Sequence, residues 1–220
     1  MKSWIEDDNI CYEYIIRYIR DTIPKCTGQL AEMEGYAKEK EVPISQPESI
    51  RMIEVLLKMM GAKRILEIGT AIGYSAIRMS RATDAEVVTV ELIDKTADIA
   101  EANIKAAGLE DKITLIRGDG AEIISKMEGE GIFDAIFVDA AKGQYMEVFP
   151  HGDRLLRRGG ILISDNILYK GMTATDELVV RRKITIVRRL RKYLEMLKNN
   201  PDYATSIIPI GDGVAISFKE

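Results

Sequence analysis

Three observations in the sequence predict an α/β fold, in which a doubly wound, seven-stranded sheet ends in an antiparallel last strand and is preceded by extra N-terminal helices. Short apolar runs alternate with amphipathic stretches at helical period. A glycine turn follows the first apolar run, and two strand-like runs near residue 220 are joined by Gly211 and Asp212. With 46% hydrophobic and 30% charged residues, the chain suits one domain, with a helical cap at 1–60 and the sheet core at 61–220.

The composition argues against several classes of protein. Residues 1–8 are acidic and lack the features of a secretion signal, and no apolar run approaches about 18 residues. Cys11 and Cys26 are isolated and His151 is the single imidazole, which argues against a disulfide framework or a zinc site. We therefore expect a cytoplasmic protein without a membrane partner. The net charge of −4 argues against a protein that coats nucleic acid generally.

Three helices are predicted before the sheet. Apolar residues recur at helical spacing over 8–23 and 29–40, and Pro47 suits the first turn of a helix over 47–60. A proline-containing loop, residues 42–48, leads into the third helix. We expect this part of the chain to cover the cofactor end of the sheet, with plain packing helices as the alternative.

The first strand and the turn after it organise the rest of the chain. Residues 65–68 form a largely apolar run, and helical period returns from Tyr74. Such a turn lies at the carboxyl end of a strand, where ligands of open α/β sheets bind. Gly69 and Gly73 lack the Cβ atoms that would keep the backbone away from a ligand or from the following helix. The turn therefore predicts a nucleoside-like cofactor.

Two acidic residues indicate which cofactor this is. A dinucleotide fingerprint would be G-x-G-x-x-G, whereas this turn is G-x-x-x-G, with Glu67 two residues before its first glycine. A carboxylate there would repel a pyrophosphate but could pair with the ammonium of an amino-acid moiety or order a water near it, which favours S-adenosylmethionine over NAD. Glu91 ends the second strand, 87–90, where nucleoside-binding sheets hold a ribose diol. The alternative is that both are solvated loop charges.

The remaining elements alternate between helix and strand. The predicted spans are a helix over 95–107, strands over 113–116, 133–138 and 160–164, a long helix over 176–198, and a hairpin of 203–210 with 213–218. Asp119 follows the third strand, where it either caps the next helix or faces the adenine.

Oxygen-bearing side chains end the fourth and fifth strands. Asp139 follows the fourth strand, and Asp165 and Asn166 follow the fifth. Any one of them alone would more often be a helix cap or a turn former. Together, three hard oxygen ligands without histidine or thiolate suit Mg²⁺ or a similar divalent cation.

Lys142 follows Asp139 by three residues, so a helical turn starting there would return it to the same opening. A nearby cation and partial burial both favour the neutral form of a lysine. Lys142 could then accept a hydroxyl proton, and the alternative is a solvated surface lysine.

Four motifs together resemble a known family. They are I-L-E-I-G-T-A-I-G-Y-S-A-I-R-M at 65–79, D-A-A-K-G-Q-Y at 139–145, D-N-I-L-Y-K-G at 165–171 and P-I-G-D-G-V-A-I-S at 209–217. This pattern is similar to the class I, metal-dependent, catechol-type O-methyltransferases, and most closely to the bacterial members that methylate 5-hydroxyuridine in tRNA. The resemblance covers almost the whole chain and implies a Rossmann-like core, S-adenosylmethionine, a divalent metal and a homodimer.

The resemblance also assigns residues. It matches Asp139, Asp165 and Asn166 to the metal ligands and Lys142 to the catalytic lysine. The positions that match cofactor contacts are Ile44, Gly69, Ser75, Glu91, Leu92, Asp119, Ala121 and Asp139, to which the argument above adds Glu67.

The implied reaction is methyl transfer to a hydroxyl. A metal with two adjacent open positions selects an acceptor with two vicinal oxygens, as in catechols, caffeoyl groups and 5-hydroxyuracil. Ala140 and Ala141 stand where animal catechol enzymes carry a bulky aromatic pair, which removes a stacking wall for a free catechol.

Basic residues concentrate over 181–198. This segment contains eight lysines and arginines and a single acidic residue, Glu195. Its net charge is therefore +7, and that of the rest of the chain is −11. A solvated helix face is the usual fate of such a run, yet a basic helix on an acidic protein suits the phosphates around a target base. We therefore predict tRNA as the partner, contacted through Arg181, Arg182, Arg188 and Arg189.

Three other functions stay open. The same chemistry on a small catechol-like phenol is the main alternative. A nicotinamide-dependent oxidoreductase is disfavoured by the G-x-x-x-G turn, and a non-catalytic RNA-binding protein gives no reason for Asp139, Asp165, Asn166 and Lys142 to coincide.

Overall fold

In the computed structural model, which describes residues 10–220, seven strands form one sheet. Their bounds are β1 (Arg64–Ile68), β2 (Glu86–Glu91), β3 (Ile113–Arg117), β4 (Phe133–Val138), β5 (Leu156–Ser164), β6 (Tyr203–Ile208) and β7 (Val214–Lys219). The spatial order is β3-β2-β1-β4-β5-β7-β6. Strand β7 runs antiparallel to β5 and β6. The predicted seven-stranded α/β sheet with an antiparallel last strand is confirmed.

The register brings the polar strand ends to one edge of the sheet. Ile68 pairs with Val90 on one side and with Val138 on the other, and Val138 pairs with Ser164. The strand order reverses between β1 and β4, which is the point where open α/β sheets leave a crevice for ligands. The residues after β1, β2, β4 and β5 therefore face a common space.

Eight α-helices accompany the sheet in the described part of the chain. They are α1 (Glu13–Thr22), α2 (Gln29–Lys40), α3 (Pro47–Met59), α4 (Tyr74–Thr83), α5 (Asp94–Ala106), α6 (Gly120–Lys126), α7 (Tyr145–Leu155) and α8 (Ile184–Asn199). The bounds of α2 are the predicted ones, α3 ends one residue earlier than predicted, and α5 both begins and ends one residue earlier. The first helix was predicted to start at residue 8, but residues 8 and 9 lie outside the described part of the chain. The described helix begins at Glu13. No sequence pattern predicted α7.

The predicted long helix over 176–198 is wrong at its start. The chain enters it through a single 3₁₀ turn, Arg181–Lys183, and α8 proper begins at Ile184. The reason is a tertiary contact: Arg191 donates hydrogen bonds to the carbonyls of Met172 and Thr173 and to Asp176 Oδ1. These bonds hold the segment before α8 in turns.

Two apolar cores lie on opposite faces of the sheet. Alternate residues of β1 serve both, because successive strand side chains point to opposite faces. Leu66 and Ile68 pack with α6, α7 and α8, whereas Ile65 packs with α3 and α4. Within residues 10–220, every helix is too short or too polar to span a bilayer. Cys11 and Cys26 are free thiols.

Candidate active site

A cavity of about 800 Å³ opens at the carboxyl ends of β1, β2, β4 and β5. Residues 41–46, in the loop between α2 and α3, also line it. The predicted site residues in the lining are Ile44, Gly69, Ser75, Glu91, Leu92, Asp139, Lys142, Asp165 and Asn166. The structure therefore brings six of the nine predicted cofactor residues together with the predicted metal ligands and the predicted catalytic lysine.

Gly69 has a role that the sequence did not indicate. Its φ is +98°, and a Cβ built on it would lie 2.2 Å from the carbonyl oxygen of Asp139. Only a glycine lets the turn after β1 pass so close to the backbone after β4. The first glycine thus sets the position of Asp139 beside the cofactor turn, whatever ligand the turn itself approaches.

Glu91 is held rigidly at the end of β2. Its Oε2 accepts a hydrogen bond from the backbone N–H of Ala71 at 2.8 Å, and its Oε1 accepts one from that of Ile93 at 2.9 Å. Each carboxylate oxygen keeps a second lone pair. Glu91 can therefore stabilise the glycine turn and still accept hydrogen bonds from a ligand in the cavity.

Glu67 lies beneath the cavity and is fully buried. Its Oε2 accepts a hydrogen bond from Thr89 at 2.5 Å, and its Oε1 has no partner in hydrogen-bonding geometry. Burial raises the pKa of Glu67 to about 7, although the hydroxyls of Ser75 and Thr89 act in the opposite direction. The contact predicted between Glu67 and a cofactor ammonium stays a prediction.

Asp119 and Ala121, the other two predicted cofactor residues, do not belong to the cavity lining. Asp119 Oδ1 accepts the backbone N–H of Glu122 at 3.1 Å, so this side chain caps α6, the alternative that the sequence allowed. Its Oδ2 accepts a hydrogen bond from Gln144 at 2.8 Å. Asp119 thereby ties the start of α6 to the loop that carries Lys142.

The predicted metal ligands converge as expected from adjacent strands. The amide Nδ2 of Asn166 donates to Asp139 Oδ1 at 3.0 Å, and its backbone N–H donates to Asp165 Oδ1 at 2.7 Å. Asn166 has a φ of +56°, a left-handed conformation that asparagine tolerates better than most residues. One residue therefore links both carboxylates.

The electrostatics of these side chains fit a cation. Burial, and then the neighbouring charge of Asp139, raise the pKa of Asp165 to about 8, and burial also raises the pKa of Asp139. Two buried carboxyl groups side by side favour protonation unless a positive charge joins them. Across residues 10–220, no three His, Cys, Asp or Glu side chains are grouped as metal ligands, so a metal here needs the amide oxygen of Asn166 as its third protein ligand.

Lys142 lies inside the cavity, in the turn between β4 and α7. Its Nζ is 3.5 Å from Asp212 Oδ2 and 4.7 Å from the centre of the Tyr169 ring. The predicted return of Lys142 to the opening is therefore what the structure shows. A carboxylate and an aromatic face fix its amine.

The lining also contains polar residues that the sequence analysis did not assign to the site, among them Asp212, Ser45 and Ser49. Asp212, which is 4% exposed, was interpreted only as part of a hairpin turn, although it pairs with Lys142. Ser45 and Ser49 are buried, and their hydroxyls have no hydrogen-bond partner. A polar residue in a turn, a loop or a helix gives no sequence signal of which distant element it meets.

The four arginines predicted to contact RNA are exposed at the start of α8 and in the turn before it. Arg189 contacts the loop that carries Lys142: its Nη1 donates to the carbonyl of Gly143 at 3.4 Å. None of the four arginines belongs to the cavity lining itself.

Comparisons with known proteins agree with this arrangement. The O-methyltransferase family model matches residues 22–220. A catechol O-methyltransferase of Niastella koreensis is 35% identical over 212 residues, which cover 93% of this chain and 92% of the relative. The SAH-bound methyltransferase PaMTH1 of Podospora anserina superposes with a TM-score of 0.84 at 26% identity, over 94% of each chain. An O-methyltransferase of Bacillus cereus in complex with SAH superposes with a TM-score of 0.81 at 28% identity, over 94% of this chain and 97% of that one. With a family match that spans the whole sheet and the cavity, this chain belongs to the O-methyltransferase family.

Proposed function

We propose that this protein transfers a methyl group from S-adenosylmethionine to one of two neighbouring oxygens of an acceptor, with a divalent cation, and that the acceptor is 5-hydroxyuridine in tRNA. The observation that carries the reaction is the meeting of Asp139, Asp165, Asn166 and Lys142 in one cavity with Glu91. A tRNA acceptor would place the enzyme in the cytoplasm.

S-adenosylmethionine is supported by relatives and by this chain. Both PaMTH1 and the Bacillus cereus enzyme carry SAH, the product that remains after the methyl group has left. Here Glu91 lines the cavity with a lone pair to spare on each oxygen, as a ribose diol requires. The buried, unpartnered hydroxyls of Ser45 and Ser49 offer further polar contacts to such a ligand.

Asp139, Asp165 and Asn166 would hold the cation. When bound there, Mg²⁺ would lower the pKa of an acceptor hydroxyl. The fit follows from donor chemistry, because two adjacent buried carboxyl groups and one amide oxygen form a hard donor set, and burial raises the pKa of both carboxyl groups despite the nearby charge of Lys142. Three protein ligands also leave positions for an acceptor with two vicinal oxygens.

Lys142 would take the hydroxyl proton at Nζ once its own ammonium proton has passed to Asp212 or to solvent. Asp212 and the Tyr169 ring hold its amine inside the cavity, so no rearrangement of the loop is needed to present it. The cavity walls would keep the acceptor oxygen and the methyl group in near-attack geometry, which supplies much of the acceleration in such transfers.

Cationic side chains around the cavity support a polyanionic acceptor. Lys170 lines the cavity, Lys183 Nζ lies 5.5 Å from the Tyr169 ring, and Arg189 contacts the loop of Lys142. Phosphates on either side of a base inserted into the cavity would meet these charges. A single-stranded loop can turn out such a base at modest cost.

A small catechol-like phenol is the second candidate acceptor. The Niastella relative is named for catechol, and catechol has the required pair of oxygens. Against it, Ala140 and Ala141 line the cavity without offering an aromatic face, and the ring of Tyr169, which also lines it, is contacted by Lys142.

The test is methyl transfer from labelled S-adenosylmethionine to unmodified tRNA, 5-hydroxyuridine-containing tRNA and catechol, each with Mg²⁺ and with a chelator. We expect label on the hydroxylated tRNA only when Mg²⁺ is present. Label on catechol alone would mean that the acceptor is a small phenol and not tRNA. Equal amounts of label with Mg²⁺ and with the chelator would refute the dependence on a divalent cation.

A pair of double variants separates RNA contact from general charge. Arg188→Ala with Arg189→Ala removes two charges from the end of α8 near Lys142, and Lys192→Ala with Lys198→Ala removes two exposed charges farther along the same helix. We expect the first pair to raise KM for tRNA about tenfold or more and the second to have a smaller effect, with catechol turnover unchanged by either. Equal effects of the two pairs would refute a contact specific to the cavity.

A further inference from the structure

The hydroxyl of Tyr145 lies directly under the two strand ends that carry the predicted metal ligands. Tyr145 is the first residue of α7 and is 2% exposed. Its Oη donates a hydrogen bond to the carbonyl oxygen of Asp165 at 2.6 Å, and the carbonyl oxygen of Val138 lies 3.5 Å away. A phenol has one proton to donate, so the shorter contact identifies Asp165 as its acceptor.

The accepting carbonyl belongs to the peptide group that joins Asp165 to Asn166. The N–H of the same peptide donates to Asp165 Oδ1 at 2.7 Å. Both polar ends of this one peptide are therefore fixed, one by a tyrosine from α7 and the other by a ligand carboxylate. The orientation of the peptide sets where the Asp165 carboxylate points and where the Asn166 side chain begins.

The conformation held in this way is not one that the chain adopts freely. Asn166 has a φ of +56°, and left-handed backbone at a non-glycine residue persists only where its surroundings stabilise it. The Asp165 N–H also donates to the carbonyl of Val138 at 3.0 Å, which fixes the strand end but not the peptide that follows. Tyr145 supplies the bond that this peptide needs.

We propose that Tyr145 is a positioning residue for the divalent cation, acting through its hydrogen bond to the peptide between Asp165 and Asn166. This inference rests on the proposed function. Removing the hydroxyl would let that peptide turn and would spread the two side chains over more orientations. Groups that orient metal ligands typically change metal affinity 10–100-fold when they are removed.

Tyr193 provides a matched control. It is equally buried, and its ring packs against that of Tyr145 with centroids 5.3 Å apart. Its hydroxyl is hydrogen-bonded to the Ser164 side chain at 2.6 Å, one residue before Asp165. Tyr193→Phe removes a similar buried phenol from the same core without touching the ligand backbone.

The experiment measures Mn²⁺ and Mg²⁺ binding to the full chain by electron paramagnetic resonance and calorimetry, together with SAH binding in the absence of metal. We expect Tyr145→Phe to weaken cation binding about 10–100-fold while SAH affinity stays within about twofold, and Tyr193→Phe to change neither by more than about twofold. Replacing Tyr145 with 4-aminophenylalanine, which keeps a donor at that position, should restore most of the cation affinity.

Other results would overturn the proposal in distinguishable ways. Unchanged cation affinity in Tyr145→Phe would refute the positioning role and leave the proposed function intact. Equal losses in both phenylalanine variants, or a Tyr145→Phe protein that does not fold, would assign the hydroxyl to core stability. A wild-type chain that binds neither cation would refute the metal dependence itself, and the positioning role with it.

Discussion

Gly69 and Gly73 both have positive φ, but only one of them is confined by a neighbouring backbone. A Cβ on Gly69 would lie 2.2 Å from the Asp139 carbonyl oxygen, whereas a Cβ on Gly73 would meet Ala100 at an ordinary 3.5 Å. We expect Gly73→Ala to cost about 1–2 kcal/mol, from its conformation alone. Gly69→Ala should cost at least about 1–3 kcal/mol more, because a backbone cannot move aside as a side chain can.

Urea denaturation of the two variants measures this difference. Since the clash is with Asp139, Gly69→Ala should also reduce divalent cation affinity, and Gly73→Ala should leave it nearly unchanged. Equal destabilisation by the two alanines would mean that the turn after β1 has room to shift away from β4.

Glu67 makes stability depend on pH. Burial raises its pKa from the ordinary 4.5 to about 7, so the unfolded chain loses this proton before the folded chain does. The raised pKa of Glu67 therefore leaves the free energy of unfolding unchanged below about pH 4.5 and lowers it progressively as the pH rises. The loss of stability is complete above about pH 7. That shift in pKa corresponds to a loss on the order of 3 kcal/mol in the free energy of unfolding.

We expect Glu67→Gln to increase the free energy of unfolding at pH 8, because an amide needs no ionisation, and to have far less effect at pH 5. Urea titrations of both proteins at the two pH values give the comparison. A gain of the same size at pH 5 and pH 8 would show that Glu67 is not the group responsible.

Helix α1 is attached to the cavity loop by one arginine. Arg20 donates hydrogen bonds to both carboxylate oxygens of Glu48, at 2.7 and 2.9 Å, and to Gln46 Oε1 at 2.9 Å. Gln46 lines the cavity and precedes α3 directly. The first helix therefore fixes the end of the loop that closes the predicted cofactor site.

Arg20→Met should destabilise the protein by about 1–2 kcal/mol, since Glu48 is almost fully buried and would lose its partner while Arg20 itself is partly solvated. Hydrogen exchange in residues 41–46 should accelerate, and SAH affinity should fall. Arg17→Met, which breaks an exposed pair with Glu13 on the same helix, should stay within about 0.5 kcal/mol of wild type. If the two variants behave alike, the link between α1 and the loop is not significant.

Elements with strong local signals were predictable from the sequence, and elements shaped by distant side chains were not. The bounds of β4 and α2 follow from apolar period and flanking breakers. The start of α8 does not follow from such signals. Arg191, which lies seven residues after the first residue of α8, holds the preceding turns by hydrogen bonds. Strand β5 begins at Leu156, four residues earlier than predicted, since Arg157 and Arg158 interrupt the apolar pattern.

The same distinction applies to the site. Asp139, Asp165 and Asn166 were predictable because parallel strands end at a common edge. Asp212 and Tyr145 were not, because their roles depend on which partners the packing of a hairpin and of α7 brings to them. Glu67 shows the opposite case: it was predicted to contact the cofactor, but its side chain is fully buried and does not line the cavity.

At the scale of the whole molecule, charge is distributed unevenly, with +7 in residues 181–198 and −11 elsewhere. If tRNA binds through these residues, methylation at subsaturating tRNA should fall steeply between 50 and 200 mM KCl, because phosphate contacts release counterions. Catechol turnover, if present, should change little over the same range. Turnover of the hydroxylated tRNA that does not respond to salt would argue against a contact through the phosphates.

The antiparallel position of β7 has a consequence for biosynthesis. Asp139, Lys142 and Asp165 precede the β6–β7 hairpin in the chain, yet the carboxylate that holds Lys142, Asp212, lies within it. When β1 to β5 have emerged from the ribosome, the nascent chain can therefore form the parallel part of the sheet but not the finished site. The amine of Lys142 acquires its counter-charge only when the ribosome has released the β6–β7 hairpin, so this ion pair should form only after the hairpin has docked on β5.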